Sequence, residues 1–215
     1  MQFLLETDNI IVCLKPAGVL STDEPGGMPF LVKESLKDPK AEVFTVHRLD
    51  RVVSGLMVLA KNRSAASALG EQIMARTFEK EYLAVIHGTP KEKNGTFRDL
   101  LIRDRSERKT YVTDTPAKGV QEAVLDYSVL AEADDLSLVK ITLHTGRTHQ
   151  IRAQFSSRDM PLVGDRKYST RDDSCDIALW SYRLAFDEPV SGERIDISLP
   201  PPDQYPWDLF RIRMH

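Results

Sequence analysis

One stretch of the sequence joins a cluster of charged residues directly to an apolar segment of strand length: Val46-His47-Arg48-Leu49-Asp50-Arg51-Val52-Val53-Ser54-Gly55-Leu56-Met57-Val58-Leu59-Ala60-Lys61. Asp50 lies between Arg48 and Arg51, with His47 nearby. A carboxylate flanked by guanidinium groups stays ionised, and an ionised carboxylate can act as a nucleophile or as a base. The stretch therefore predicts either a catalytic carboxylate at the mouth of a strand or a surface ion-pair cluster in a loop.

A second stretch is basic and runs Thr145-Gly146-Arg147-Thr148-His149-Gln150-Ile151-Arg152. We expect a helix to begin near Thr148, because Ile151 and Phe155 are four residues apart on one face. The free N–H groups of a helix start, beside two arginines, suit an anion such as a phosphate or a partner carboxylate. Arg147 would be able to pair bidentately with Asp50. The alternative is a well-capped basic helix with a structural role.

Two further stretches combine aromatic and basic residues. The segment 80–88 alternates in the manner of a strand, and Tyr82 within it is either a core residue or a ring that stacks on a nucleobase while its hydroxyl reaches a reacting atom. The segment 161–168 places the adjacent cations Arg166 and Lys167 next to Tyr168. Taken alone, each stretch is more typical of a structural role than of a functional one.

The remaining pattern predicts a mixed α+β fold in one domain spanning 1–215. Apolar runs of strand length dominate, at 9–14, 56–60, 81–87, 120–129, 136–143, 178–186 and 194–198. Helical patterns are fewer: one covers 65–75 with Ser64 as its N-cap, and the other begins near Thr148. Many strands with scattered helices favour an α+β domain over a doubly wound one.

Composition excludes several classes of protein. Hydrophobic residues make up 41% of the chain and charged residues 28%, which is typical of a globular protein and not of a disordered one. No apolar run approaches the ~18 residues of a membrane span, and no signal peptide is visible. The two cysteines are too few for a disulfide framework or a structural zinc site. We therefore expect a cytoplasmic protein without a metal.

The formal charge of −3 lowers the odds of a nucleic-acid partner, but it conceals a segregation. Segment 140–171 carries seven Lys and Arg against two Asp, whereas segment 172–203 carries eight acidic residues against two Arg. We interpret this as an acidic back behind a basic working face. That arrangement permits RNA as a partner and predicts salt-sensitive binding.

The ordered set of motifs resembles the RluA-type RNA pseudouridine synthases over about residues 9–186. Its members are Lys15-Pro16-Ala17-Gly18, His47-Arg48-Leu49-Asp50 with Ser54-Gly55-Leu56, Lys80-x-Tyr82-x-Ala84, Gly146-Arg147-Thr148-His149-Gln150-Ile151-Arg152, and Val163-Gly164-Asp165 with Tyr168. The His-Arg-Leu-Asp and Gly-Arg-Thr-His-Gln-Ile-Arg strings are long and specific, and they occur in the family's order.

The resemblance implies a pseudouridine synthase fold: a long bent, mainly antiparallel sheet flanked by helices and loops around a central RNA-binding cleft. It implies isomerisation of uridine to pseudouridine in RNA without a cofactor or a metal. It assigns catalysis to Asp50, Tyr82 and Arg147. Among the contacts with RNA, Arg48 takes the place of the extruded base and Ile151 packs against the uracil. His47, Arg152 and Lys167 complete the expected RNA-binding set.

The chemistry leaves open whether Asp50 attacks C1′, attacks the ring or removes a sugar proton. Transfer RNA and large-subunit ribosomal RNA are alternative substrates, and we expect their choice to lie in the catalytic domain and its loops. We take a monomer as the default. The sequence departs from the family pattern at Val53, Asp159, Trp180 and Ser169, which affects the surroundings of the site and the substrate preference more than the reaction.

Two other classes of function compete with this interpretation. An RNA chaperone or assembly factor would use the same cleft without turnover, although binding alone does not need Asp50, Tyr82 and Arg147. A cofactor-free hydrolase would use Asp50 as a nucleophile, but a glycosidase normally needs a second carboxylate as its acid.

Overall fold

Strands dominate the computed structural model, which describes residues 1–210. Its elements are β1 (Phe3–Glu6), β2 (Ile10–Lys15), α1 (Met28–Leu36), β3 (Phe44–Thr45), β4 (Ser54–Ala60), α2 (Arg63–Ala75), β5 (Glu79–His87), β6 (Asn94–Asp104), β7 (Lys109–Thr113), β8 (Gln121–Ala133), β9 (Leu136–Leu143), α3 (Gln150–Ser156), β10 (Leu179–Asp187), β11 (Arg194–Ser198) and a 3₁₀ turn at Trp207–Leu209. None of the helices within 1–210 is long and apolar enough to cross a membrane.

The described residues form two compact units. Residues 1–80 and 180–199 make up the first unit, and residues 81–179 and 200–210 make up the second. The boundaries fall inside β5, inside β10 and just after β11. In the first unit the strand order is β1-β2-β4-β10, with β3 paired to β4 and β11 paired to β10. These pairings are antiparallel except for the short parallel contact between β10 and β4.

The first unit buries both faces of its central strands. Alternate residues of β2 and β4, such as Ile10 and Val58, pack with α2 and with Phe186 of β10. The residues between them, such as Cys13 and Met57, pack with α1 instead. Because side chains of a strand alternate between faces, burial of both faces requires a continuous apolar run, and β2 and β4 have one.

The second unit is an antiparallel sheet in the order β5-β9-β8-β6-β7. Helix α3 packs against β6 and β7. Phe155 of α3 lies edge-on to Phe97 of β6, with ring centroids 5.0 Å apart, and Tyr127 of β8 contacts both rings. This aromatic cluster fixes α3 on the sheet, and with it the basic string that precedes and opens the helix.

The sequence predictions of α+β class and of the main strands are confirmed. The strands predicted at 120–129 and 136–143 form the β8–β9 hairpin, with Asp134 at a positive φ in its turn. The predicted N-cap Ser64 is wrong: Asn62 caps α2, and its side chain accepts a hydrogen bond from the backbone N–H of Ala65. Helix α1 and strands β1, β3, β6 and β7 were not predicted. The single domain expected over residues 1–215 stays a prediction.

His47 is buried in the first unit beneath the charged loop. Its Nε2 accepts a hydrogen bond from the backbone N–H of Val58 at 3.1 Å, and its ring lies 5.7 Å from that of Phe78. An imidazole that accepts at Nε2 and remains neutral carries its hydrogen on Nδ1. Burial, with a smaller effect from the positive charge of Lys80, lowers the pKa of His47 to about 3. His47 is therefore a neutral link between the charged loop and β4.

Replacement of Gly55 by alanine should strongly destabilise the fold. Gly55 has a φ of +121°, and a Cβ atom there would lie 2.4 Å from the carbonyl oxygen of Ser181 on β10. Strain and overlap with backbone predict a loss of about 3 kcal/mol or more in the free energy of unfolding. Gly70→Ala is the matched control, because it lies inside α2 with open space around it, and it should stabilise by about 0.5–1 kcal/mol. Equal effects of the two substitutions in urea denaturation would contradict the close approach of β4 and β10.

Acidification should destabilise the protein through His47. The pKa of His47 is near 3 in the fold and ~6.5 in an unfolded chain, so between these pH values the unfolded state binds the extra proton. Stability is therefore lost as pH falls below ~6.5, by about 2 kcal/mol between pH ~7 and pH ~5 from this group alone. Urea titrations at both pH values should show that His47→Gln removes this part of the pH dependence. An unchanged dependence in the variant would show that His47 is not buried as a neutral group.

Candidate active site

The predicted site residues divide between the two units. The first unit contains His47, Arg48 and Asp50, and the second contains Tyr82, Arg147, Ile151, Arg152 and Lys167.

Asp50 lies in a turn whose backbone is anchored by its buried neighbours. His47 and Leu49 are buried while Arg48 is exposed and Asp50 half-buried, so the loop alternates between inward and outward side chains. The hydroxyl of Ser21 donates to the carbonyl of Leu49 at 2.9 Å and accepts from the N–H of Leu49 at 3.0 Å. The N–H of Val53 closes the turn by donating to the carbonyl of Asp50. These contacts position the half-buried Asp50 carboxylate.

Lys15 stabilises the same turn from the protein interior. Its side chain is fully buried, and its ammonium donates to three carbonyl oxygens: Pro16 at 3.0 Å, Arg51 at 3.2 Å and Val53 at 2.7 Å. Burial lowers the pKa of Lys15 to about 8, and the negative charge of Asp50 opposes this shift. Lys15 therefore bears most of its charge at neutral pH and brings a positive potential to the Asp50 turn.

Arg48 and Arg51 have different surroundings, although both are exposed. The Nε of Arg51 donates to the carbonyl of Gly18 at 2.9 Å, which ties the Asp50 turn to the segment after β2. Arg48 projects from the turn beside Asp50. Its predicted contact with RNA, and that of the buried His47, stay predictions.

Tyr82 is buried on β5 in the second unit, opposite Ile141 of β9. A buried phenol ring on a strand offers an apolar wall, and its hydroxyl is a polar group that needs a partner. Both roles that the sequence left open for Tyr82, a core residue and a ring at the reaction centre, are compatible with this burial.

Gln150 organises the turn that precedes α3. The Oε1 of Gln150 accepts from the hydroxyl of Thr145 at 2.7 Å and from the backbone N–H of Arg147 at 3.0 Å, and its Nε2 donates to the carbonyl of Val124. Gln150 belongs to the Gly-Arg-Thr-His-Gln-Ile-Arg string, but its role depends on its contact with Val124 of β8, which the sequence does not show. The turn is thereby bound to the sheet through one buried amide.

The two arginines of this string differ sharply in environment. Arg147 is exposed, and its Nε donates to the carbonyl of Glu122 at 3.0 Å. Arg152 is buried, and its Nε and Nη2 bind the two carboxylate oxygens of Asp165 at 2.8 and 2.7 Å. Ile151 beside it is also buried. The catalytic role predicted for Arg147 and the RNA contacts predicted for Ile151 and Arg152 stay predictions.

The loop after α3 contributes a residue that sequence reasoning did not single out. Asp165 is buried, binds Arg152 and accepts from the backbone N–H groups of Lys167 and Tyr168. Lys167 is exposed, and its ammonium donates to the carbonyl of Glu107. Asp165 belongs to a string quoted above, yet its pairing with Arg152 thirteen residues earlier has no signal in the sequence.

Pairing reduces the positive potential of the basic segment 140–171. Arg152 is neutralised by Asp165, and Arg158 by Asp99, to which both of its terminal nitrogens donate. The exposed cations Arg147, Arg166 and Lys167 remain at the surface. The count of cations in the sequence thus overstates the charge available to a nucleic acid.

Each residue that departs from the family pattern has a local contact or a backbone conformation that gives it a structural role. Val53 is buried, and its carbonyl is a ligand of the Lys15 ammonium. Trp180 is buried next to β4, and its indole N–H donates to the carbonyl of Leu199 at 2.7 Å. Asp159 adopts a positive φ of 58° in the turn after α3. The hydroxyl of Ser169 accepts a hydrogen bond from the backbone N–H of Arg171 at 3.0 Å.

Comparison with known proteins places this arrangement in a family. Residues 9–157 match the sequence profile of the family described as RNA pseudouridylate synthase. An uncharacterized RNA pseudouridine synthase of Bacillus subtilis, YlyB, is 32% identical over 214 residues, which cover 94% of this chain and 70% of that protein. The ribosomal large subunit pseudouridine synthase D of Neisseria meningitidis is 33% identical over 225 residues, which cover 94% of this chain and 59% of that protein.

The fold agrees with a solved structure of the same kind. Human RNA pseudouridylate synthase domain containing 4 superposes with a TM-score of 0.76, at 24% identity, over 93% of this chain and 88% of the human one. That structural likeness confirms the α+β pseudouridine synthase fold. The assignment to the family rests on the sequence matches. The chain belongs to the RNA pseudouridylate synthase family and is an RNA pseudouridine synthase, an isomerase.

Proposed function

We propose that this enzyme isomerises specific uridines in structured RNA with Asp50 as its catalytic carboxylate. The observation that carries the proposal is the construction of the Asp50 turn. Buried groups of the first unit hold its backbone from both sides, and the ammonium of Lys15 lies beneath it. A surface ion-pair cluster needs no such support, whereas a reacting group must be held in one geometry.

The reaction requires a small set of groups. The bond between N1 of uracil and C1′ of ribose breaks, the base turns, and C5 joins C1′ while the hydrogen of C5 leaves as a proton and N1 gains one. Asp50 either attacks C1′, attacks the ring or removes a sugar proton. The detached base must be retained meanwhile, and we propose that Tyr82 and Ile151 supply the apolar surfaces for it, with Arg147 as the cationic group of the site.

The target uridine must first leave its stack, at a cost of a few kcal/mol. Phosphate contacts by exposed cations offset such a cost. We propose this task for Lys167 and the basic surface around it, and we propose that Arg48 takes the space of the extruded base. The exposure of both side chains supports these roles.

Ribosomal RNA is the substrate class that we favour over transfer RNA. The name of the Neisseria relative, a ribosomal large subunit pseudouridine synthase, supports this preference. The two cysteines are both unpaired, which fits a reducing compartment, and we propose a cytoplasmic enzyme that acts as a monomer and without a metal ion.

Asp50→Asn should abolish pseudouridine formation while RNA binding survives. The substitution removes the charge but keeps the size of the side chain, so turnover should fall by at least about a thousandfold. The measurement is tritium release from RNA that carries 5-tritiated uridine, together with RNA binding in a filter assay. Asp8→Asn is the matched control, because Asp8 is exposed in the turn between β1 and β2. Continued release by the Asp50 variant would remove Asp50 from the reaction.

Deletion of the gene should eliminate pseudouridine at one or a few positions of large-subunit ribosomal RNA. Pseudouridine mapping of total RNA with and without the gene measures this directly, and complementation with the Asp50→Asn variant should not restore the lost sites. Loss in transfer RNA instead would redirect the substrate assignment. A strain that keeps every pseudouridine but misfolds its RNA would favour a binding protein without turnover.

A further inference from the structure

Lys80 is a half-buried cation without an oxygen partner in the described part of the chain. It lies on β5, at the end of the first unit, and it opens the Lys80-x-Tyr82-x-Ala84 string. Its ammonium lies 5.9 Å from the centroid of the Phe78 ring, but no hydrogen bond or ion pair to residues 1–210 holds it. The proposed reaction assigns no task to this residue.

Other cations that are similarly shielded from water have partners. Lys109 lies over two aromatic rings, those of Tyr111 and Tyr168. The remaining buried and half-buried cations within 1–210 are bound by oxygen atoms, and they are Lys15, Lys33, Lys61, Lys140, Arg152, Arg158 and Arg183. A charge that is partly removed from water is costly unless such contacts replace its hydration. Lys80 is therefore an exception in this protein.

The carboxylates next to Lys80 in the chain do not neutralise it. Side chains of a strand alternate between its two faces, so Glu79 and Glu81 point away from the face of Lys80. Glu79 binds Arg183 at 3.0 Å, and Glu81 lies 3.9 Å from the ammonium of Lys140. Both carboxylates thus have other cations as partners.

His47 does not accept a hydrogen bond from Lys80 either. It is close enough for the positive charge of Lys80 to contribute to the lowering of its pKa. The Nε2 lone pair of His47 is used by the N–H of Val58, and Nδ1 of the neutral ring carries the hydrogen. That Nδ1 is buried and has no acceptor among the described residues. Lys80 and His47 thus bring two donors, and no acceptor, to this part of the first unit.

The missing acceptor must come from another molecule. Burial lowers the pKa of Lys80, as expected for an ammonium that is partly withdrawn from water with no opposite charge beside it. RNA carries one negative charge at each phosphate. Lys80 neighbours His47, which precedes Asp50 by three residues, so the phosphates attached to the reacting ribose are the anions that fit this position best.

We propose that Lys80 binds one of the two backbone phosphates that flank the target uridine. The inference rests on the proposed function, because that function brings RNA to the first unit. An ammonium on a flexible stem is a suitable point charge for a phosphate. Because Lys80 has no partner in the free enzyme, no ion pair has to be broken before the phosphate binds.

Lys80→Met separates RNA binding from stability. Methionine keeps the length of the side chain and packs on Phe78, but it removes a partly buried charge, so the urea midpoint should rise. RNA affinity should fall about tenfold at about 0.1 M salt, and the slope of log K against log salt should decrease by about 0.7–0.9, as for one lost phosphate contact. The measurement is filter binding of an in vitro transcript of large-subunit ribosomal RNA.

Lys61→Met is the matched control, because Lys61 is also half-buried but is paired with Glu6 at 2.9 Å. Its urea midpoint should not rise, and its RNA affinity and salt slope should equal those of the wild type. Lys80→Arg keeps the charge and should retain the salt slope. An unchanged slope in Lys80→Met would overturn the proposal. A lower urea midpoint together with weaker binding would overturn it too, because both losses would then follow from damage to the fold.

Removal of the charge from the RNA tests the contact itself. A synthetic stem-loop that contains a uridine modified by the wild type is made with a neutral methylphosphonate on either side of that uridine. The wild type should lose about tenfold in affinity at one of the two positions, and Lys80→Met should lose nothing further there. Equal losses in the two proteins at both positions would contradict the contact.

A failure of this inference is distinguishable from a failure of the proposed function. If the wild type forms no pseudouridine in the transcript, the proposed function fails. If the wild type is active and Lys80→Met keeps the full salt slope, the function stands and the phosphate contact of Lys80 is wrong.

Discussion

A buried ammonium group holds together the turn on which the proposed chemistry depends. A charge removed from water is costly unless hydrogen bonds replace its hydration, and Lys15 meets this condition with carbonyl oxygens of Pro16, Arg51 and Val53. Hydrogen bonds to a charged group contribute about 1.5–3 kcal/mol each, so three of them strongly constrain the backbone that follows Asp50 and tie it to the end of β2. If any of the carbonyls moved, the ammonium would lose a partner inside the protein.

The second unit applies the same principle with other residues. The amide of Gln150 binds the turn before α3 to β8, and the carboxylate of Asp165 receives both nitrogens of the Arg152 fork. In each case one buried polar group satisfies several partners from loops, and these loops carry the family motifs. Such contacts favour one conformation of each loop, because any other conformation would leave a buried polar group without its partners.

The elements that could be predicted from the sequence are those with a strong periodic signal. Strands β2 and β4 have continuous apolar runs because both of their faces are buried, and such runs are visible without any structure. Strand β6 has only Phe97 and Leu101 buried along its length, so its pattern does not differ from that of a polar loop. Helix α1 follows Gly26-Gly27 and contains Pro29, which predict a turn unless proline is placed in the first turn of a helix.

By itself, the sequence determined the α+β class, the main strands and, through two long motifs in a fixed order, the family and the identity of the candidate residues. Only the tertiary structure decided what those residues touch. Arg147 and Arg152 look equivalent in the sequence, yet one is exposed and the other is buried against Asp165; His47 looks like a surface residue of a charged loop, yet it is a neutral link to β4. The physical reason is that apolar periodicity and motif order are local properties of the chain, whereas burial, ion pairing and the tautomer of a histidine depend on atoms brought from distant segments.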